Sequence, residues 1–230
     1  VAGGNGEALY QRYAFHHAVQ ELTAYCSEEL GAFYLDILKD RLYTTGVDSA
    51  ARRSAQTALH HITHSLVQLL APILSFTAEE AFGWLSGNQE DSVFLHTWHD
   101  LPAVADGEAL QARWNTLREV RSNVQKAIEE VRVSGAIGSS LQAEIEITAP
   151  ADVAAVLQAL GDDLRFVMIT SAASVQVGES LQVNVVPSAH EKCERCWHYR
   201  ADVSSHAGHT GLCGRCVSNL YGEGESRHHA

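Results

Sequence analysis

The chain has 230 residues, 46% of them hydrophobic and 19% charged, with a formal net charge of −12. That balance suits a soluble globular protein of one large domain or two to three smaller ones. It argues against a nucleic-acid binder that works through bulk charge, though not against one using a local patch. No apolar run reaches the length of a bilayer span, so membrane insertion is excluded, and no signal-peptide pattern opens the chain.

Val1 to Gly6 is glycine-rich and predicts no structure. From Glu7 to about Tyr43, apolar residues recur at threes and fours (Leu9, Tyr13, Val19, Leu22, Cys26, then Leu30, Phe33, Ile37), a helix with Gly31 as a plausible kink. Cys26 reads as a buried thiol in that helix. Asp48 or Ser49 caps a second helix over 49–71, which Pro72 ends. Thr77 with Glu80 makes a capping box for a third. Residues 86–106 read as a loop with a short extended piece at 93–95. Leu110, Trp114, Leu117, Val120, Val124, Ile128 and Val131 mark a long helix over 107–133, stopped by Gly135 and Gly138.

The period then changes. Residues 143–148 alternate as a half-buried strand, 150–160 and 162–169 read as helices, and 175–177 with 181–185 read as a hairpin around Gly178. The expected fold is mainly α: a helical bundle (7–134), a small α+β module (140–186), a zinc module (188–222) and a loose tail (223–230). No repeat of 20–50 residues is present.

The strongest chemical signal is Cys193-Glu194-Arg195-Cys196-Trp197 followed by Cys213-Gly214-Arg215-Cys216. Two CxxC knuckles with sixteen residues between them can bring four thiolates to one Zn2+, leaving no open position for substrate. The site therefore reads as structural. A pair of disulfides fits small secreted domains better than this chain. A Cys₃His set using His198 or His209 stays open. Residues 188–222 have too few apolar side chains to fold without the ion.

Catalytic motifs are missing: there is no P-loop, GxGxxG, GxSxG or HExxH. His60, His61 and His64 lie on the second helix; His60 and His64 have i, i+4 metal spacing but no carboxylate to complete a site. Asp36 and Asp40 share a face and read either as paired carboxylates or, better, as partners in salt bridges between helices. The basic features are Lys39, Arg41, Arg52, Arg53 and Arg195. Trp197, fixed beside a knuckle, is either a rigid plane for an unpaired base or part of the module's own core.

Several stretches together resemble the bacterial type of isoleucyl-tRNA synthetase. They are Phe33-Tyr34-Leu35-Asp36-Ile37-Leu38-Lys39-Asp40-Arg41-Leu42-Tyr43, Ala51-Arg52-Arg53-Ser54, the run from Leu70 to Glu80, Glu191 to Tyr199, and Cys213 to Asn219. The related valyl, leucyl and methionyl enzymes share the bundle, but the Arg-Cys-Trp knuckle points to the isoleucyl type. The family's HIGH and KMSKS motifs and its editing domain are absent. The resemblance thus implies the C-terminal part of a larger cytoplasmic, monomeric ligase that uses ATP and Mg2+. This part would be inactive alone and would hold the anticodon stem-loop of isoleucine tRNA for a catalytic domain in cis. It further implies Arg195 and Trp197 as anticodon contacts, with Lys39, Arg41, Arg52 and Arg53 as further RNA contacts, and Cys193, Cys196, Cys213 and Cys216 as zinc ligands. Two other classes compete: a zinc-stabilised protein-interaction module, whose binding would ignore salt and RNA, and a free-standing enzyme built on His60 and His64.

Overall fold

The computed structural model describes residues 2–229; helices dominate it, beside a three-stranded sheet and a two-stranded ribbon. The chain falls into two compact units. One holds the described residues up to Asp36 together with Arg53–Val104, and the other holds Ile37–Arg52 and the described residues from Ala105 onward.

The first unit begins with α1 (Ala2–Gln11), so residues 2–6, expected to lack structure, are helical. Gly6 lies so close to Leu69 that a Cβ would meet its Cδ2 at 3.0 Å, which makes a small residue useful there. The continuous helix expected over 7–43 breaks at Arg12–Ala14, where Tyr13 takes φ +56°. It resumes as α2 (Phe15–Ala24) and becomes π-helical over Tyr25–Leu35, where no residue is buried. Cys26, expected to be buried, is exposed: it borders an open apolar groove with Val19, Leu22, Leu70 and Leu74.

In α4 (Ala50–Leu70), Ser49 Oγ accepts the Arg52 N–H at 3.2 Å, as its capping role predicts. The core of the first unit gathers Val67, Ala71, Ala78, Phe82 and Val93. Helix α5 (Ser75–Ser86) starts before Thr77, with Leu74 at its N-cap and no side-chain cap bond, so the expected capping box does not form. The Leu74 carbonyl already takes the Ala78 N–H at 2.8 Å, which restarts the helix just after Pro72. The extended piece expected at 93–95 is a single 3₁₀ turn, Val93–Leu95. Glu79 Oε2 pins it by accepting Ser92 Oγ at 3.1 Å and the Val93 N–H at 2.9 Å.

The second unit is organised on α6 (Gly107–Val133), whose Leu117, Val120, Val124 and Ile128 are buried along one face. It ends in a Schellman arrangement: Gly135 takes φ +81°, Ala136 N–H reaches the Val131 carbonyl at 3.3 Å, and Gly135 N–H reaches that of Arg132 at 3.0 Å. Strand β1 (Ala143–Ala149) buries Ala143, Ile145, Ile147 and Ala149, the alternation read from sequence.

The expected hairpin is not one. β2 (Ala172–Val177) pairs parallel to β1, β3 (Gln182–Pro187) pairs antiparallel to its other edge, and the order is β2-β1-β3. The strand with the most deeply buried apolar face takes the centre, and the two flanking runs cannot then reach each other. Helices α7 (Ala151–Gln158) and α8 (Leu164–Met168) carry the crossover from β1 to β2. Gly178 follows β2, where a Cβ would strike Thr148 Cγ2 at a separation below contact distance. β4 (Glu191–Lys192), β5 (Tyr199–Arg200) and α9 (Gly214–Tyr221) complete the unit.

Candidate zinc centre and nucleic-acid interface

The two knuckles bring Cys193, Cys196, Cys213 and Cys216 together as the only such group among the described residues, all buried, with ligand sulfurs within 4.8 Å of one another. A tetrahedron built on Zn–S bonds of about 2.3 Å separates its sulfurs by about 3.8 Å. Cys196 and Cys213 stand 3.7 Å apart. The Cys213 N–H donates to Cys193 Sγ at 3.4 Å, and Arg195 Nη1 lies 3.7 Å from Cys216 Sγ. Hydrogen bonds from Cys213 and Cys216 pull the Cys196 thiol far down, while their contact with Cys196 pushes Cys213 and Cys216 up. Four thiolates this close would repel one another strongly without a cation between them.

The ion would hold this module together, since the buried residues of its core are the four cysteines, with only Val203 and Leu212 packed against them. The four sulfurs converge without an imidazole. His198 turns Nδ1 to the Cys196 carbonyl at 3.2 Å, and His209 stacks on Tyr221 at 4.4 Å.

The knuckles grip the last turn of α3 (Asp36–Thr44). Arg195, in the first knuckle, donates Nη1 to the Thr44 carbonyl at 2.7 Å and Nη2 to that of Tyr43 at 3.3 Å. These are orphan carbonyls at a helix C-terminus, where a cation is favoured. Arg215, in the second knuckle, forks onto Asp40 at 2.7 and 2.9 Å. Arg227 reaches the same carboxylate at 2.5 Å and lies 3.6 Å over the Phe166 ring. Burial alone would raise the Asp40 carboxyl. The Arg215 hydrogen bond and the Arg215 and Arg227 charges outweigh it and hold the pKa at about 2. Burial works against Arg215 as well, and its Asp40 bonds override that and raise it.

Residues 223–229, expected to be loose, are tied down. Glu225 meets Arg215 at 3.2 Å, and Asp163 Oδ2 accepts the N–H groups of His228 and His229 at 3.0 and 2.8 Å.

Trp197 is outside the module's core, 59% exposed, with Lys192 Nζ 4.9 Å from its ring centroid. Its φ is +65°, a left-handed conformation that favours glycine. Its N–H still closes the knuckle turn on the Cys193 carbonyl at 2.9 Å.

With this geometry in place, comparison with known proteins is specific. Residues 7–147 match the family described as the anticodon-binding domain of tRNA ligase. The chain belongs to that family. Residues 191–219 match a zinc finger found in FPG and isoleucyl-tRNA synthetase, which fits the four-sulfur cluster and its structural Zn2+. The chain is 58% identical over 224 residues to the isoleucine–tRNA ligase of Chromobacterium violaceum, with 96% of the chain covered. It is 60% identical over 229 residues to that of Janthinobacterium sp. strain Marseille, with 97% covered, and 59% over 227 residues to that of Thiobacillus denitrificans, with 99% covered. In each case the chain spans 24% of the relative's length.

For this anticodon-binding family member, the other basic residues separate. Lys39 is exposed, Arg41 is half-buried with Nε enclosed, and Arg52 is half-buried on the first turn of α4. Arg53, in the first unit, is exposed and donates to Gln56 Oε1 at 3.1 Å. His60, His61 and His64 form an imidazole cluster with His99, which His61 meets at 2.9 Å between ring nitrogens. They stand outside the metal-ligand group given by the cysteines. Sequence reasoning passed over Arg215, Asp163 and Arg227. For Arg215 a signal existed: it precedes the second cysteine of its knuckle, as Arg195 does in the other.

Proposed function

We propose that this chain binds the anticodon stem-loop of isoleucine tRNA and holds it for ATP- and Mg2+-dependent aminoacylation by a catalytic region elsewhere in a longer polypeptide. In this reading 7–134 is the anticodon-binding bundle, 140–186 the junction and 188–222 the zinc module, ligated by Cys193, Cys196, Cys213 and Cys216. The protein works as a cytoplasmic monomer. Lys39, Arg41, Arg52, Arg53 and Arg195 supply positive charge, and Trp197 offers the stacking plane.

One observation carries the reading. A large indole stands in solvent at a backbone position that a glycine would occupy with less strain. Strain retained for an exposed side chain points to a use for that side chain. The cation of Lys192 beside it suits a base bound next to its own phosphate.

The test is a filter-binding titration with isoleucine tRNA and an unrelated tRNA across a salt series. Tighter binding of the first, weakening as salt rises, is expected. Equal, salt-insensitive retention of both would favour a protein-interaction module and overturn the proposal. Amino-acid activation by this chain alone should be silent.

A further inference from the structure

The grip on α3 fixes a second aromatic side chain. Tyr43 is 75% exposed, yet its backbone is held from both sides. Its own carbonyl accepts Arg195 Nη2. Three residues earlier Asp40 is clamped by two arginines, and one residue later Thr44 is buried, with its hydroxyl on the Asp40 carbonyl at 2.7 Å. An aromatic on a pinned backbone loses little conformational freedom when it stacks on a ligand. The guanidinium that reaches Tyr43 belongs to a residue two positions before Trp197. One arginine therefore ties the backbone of Tyr43 to the knuckle that carries Trp197, within a single compact unit.

Resting on the RNA-binding reading above, we infer that Tyr43 is a base-stacking contact. With Trp197 it forms a two-ring platform for unpaired nucleotides of an RNA loop, and Arg195 is the positioning residue that ties Tyr43 to the knuckle. Both rings accept any base face, so the platform orders the loop and leaves discrimination to neighbouring polar groups.

The experiment is a fluorescence-anisotropy titration of the zinc-loaded chain with an isoleucine-tRNA anticodon stem-loop over a salt series. Tyr43→Ala should weaken binding about 5- to 100-fold at every salt concentration without changing the salt slope. Tyr43→Phe should stay within about twofold of the parent. One abasic substitution in the loop should make Tyr43→Ala silent, because the stacked partner is already gone. Arg195→Lys should weaken binding with the slope kept, whereas a phosphate contact would tolerate lysine.

If Trp197→Ala weakens binding and Tyr43→Ala does not, the inference falls and the RNA reading stands. If neither weakens it, the inference falls together with the stacking role of Trp197; if the parent chain itself fails to bind the stem-loop, the RNA reading falls. Should Tyr43→Ala disturb zinc content or helicity, Tyr43→Phe and the abasic series decide: with no loop position coupled to Tyr43, the inference is overturned.

Discussion

Arg195 and Arg215 hold equivalent places, each one residue before the second cysteine of its knuckle, and both close on the last turn of α3. One takes backbone carbonyls and the other takes the Asp40 carboxylate. The metal module is thereby bonded to α3 through two chemically different contacts.

Asp40→Asn should destabilise the second unit by about 3 kcal/mol, because two buried guanidinium groups lose their counter-charge. Acid should act the same way on the unaltered chain. The folded pKa of Asp40, about 2, lies below the ordinary 3.8. A depressed carboxyl gives stability that is present above the unfolded pKa and lost as pH falls toward the folded one. The loss from this group, on the order of 2 kcal/mol, should fall between pH 4 and 2. Urea melts across that range check it, and a parent and Asp40→Asn that lose stability in parallel there would sink the assignment.

Removing Zn2+ with a strong chelator should unfold 188–222 and leave α6 and the sheet standing, since that module's buried core is four sulfurs. Near-UV signals from Trp197 and Tyr199 should change, most far-UV helicity should persist, and metal analysis should return one zinc per chain. Indifference of both signals to metal loss would refute the structural role.

The long helix 107–133, strand β1 and the cysteine framework were legible because each is a local pattern: a 3.6 period, a 2.0 period and a fixed spacing. The false hairpin was not, since strand order depends on which strand wins the centre of the sheet, a tertiary matter. Exposure of Cys26 is a tertiary matter too, since the groove it lines with Leu22, Leu70 and Leu74 stays open, and no residue periodicity announces the π-helical stretch around it. The candidate site divided likewise. Trp197 stood beside a recognisable knuckle, while Arg227 is tied to Asp40 across 187 positions of chain.

Arg227→Ala should cost about 2–4 kcal/mol, by removing one of the two cations on Asp40 and its packing on Phe166. Zinc content should be unchanged, which separates this loss from that of the metal. A loose tail would make the same substitution neutral in a thermal melt.

In the first unit, mild acid should loosen α4 where His60, His61 and His64 face His96 and His99, with Asp91 and Asp100 nearby. Burial, then mutual repulsion, lowers the pKa of His64 and His99 below 6.5. The unfolded chain then binds more protons, so stability present above pH 6.5 drains as pH falls. Amide exchange corrected for intrinsic rates should show α4 less protected at pH 5.5 than at 7.5. Equal protection at both would show that the cluster does not sense acid.

Trp197→Gly separates fold from function more cleanly than alanine does. Glycine adopts φ near +65° freely, whereas other residues there are strained by about 1 kcal/mol. The glycine variant should therefore bind zinc normally and melt no lower than the parent. Its affinity for the isoleucine-tRNA stem-loop should fall by about 1–3 kcal/mol, the loss of one stacked base. A variant that keeps full affinity would show that the indole sits in solvent without use, while one that loses zinc would show that the ring supports the knuckle itself.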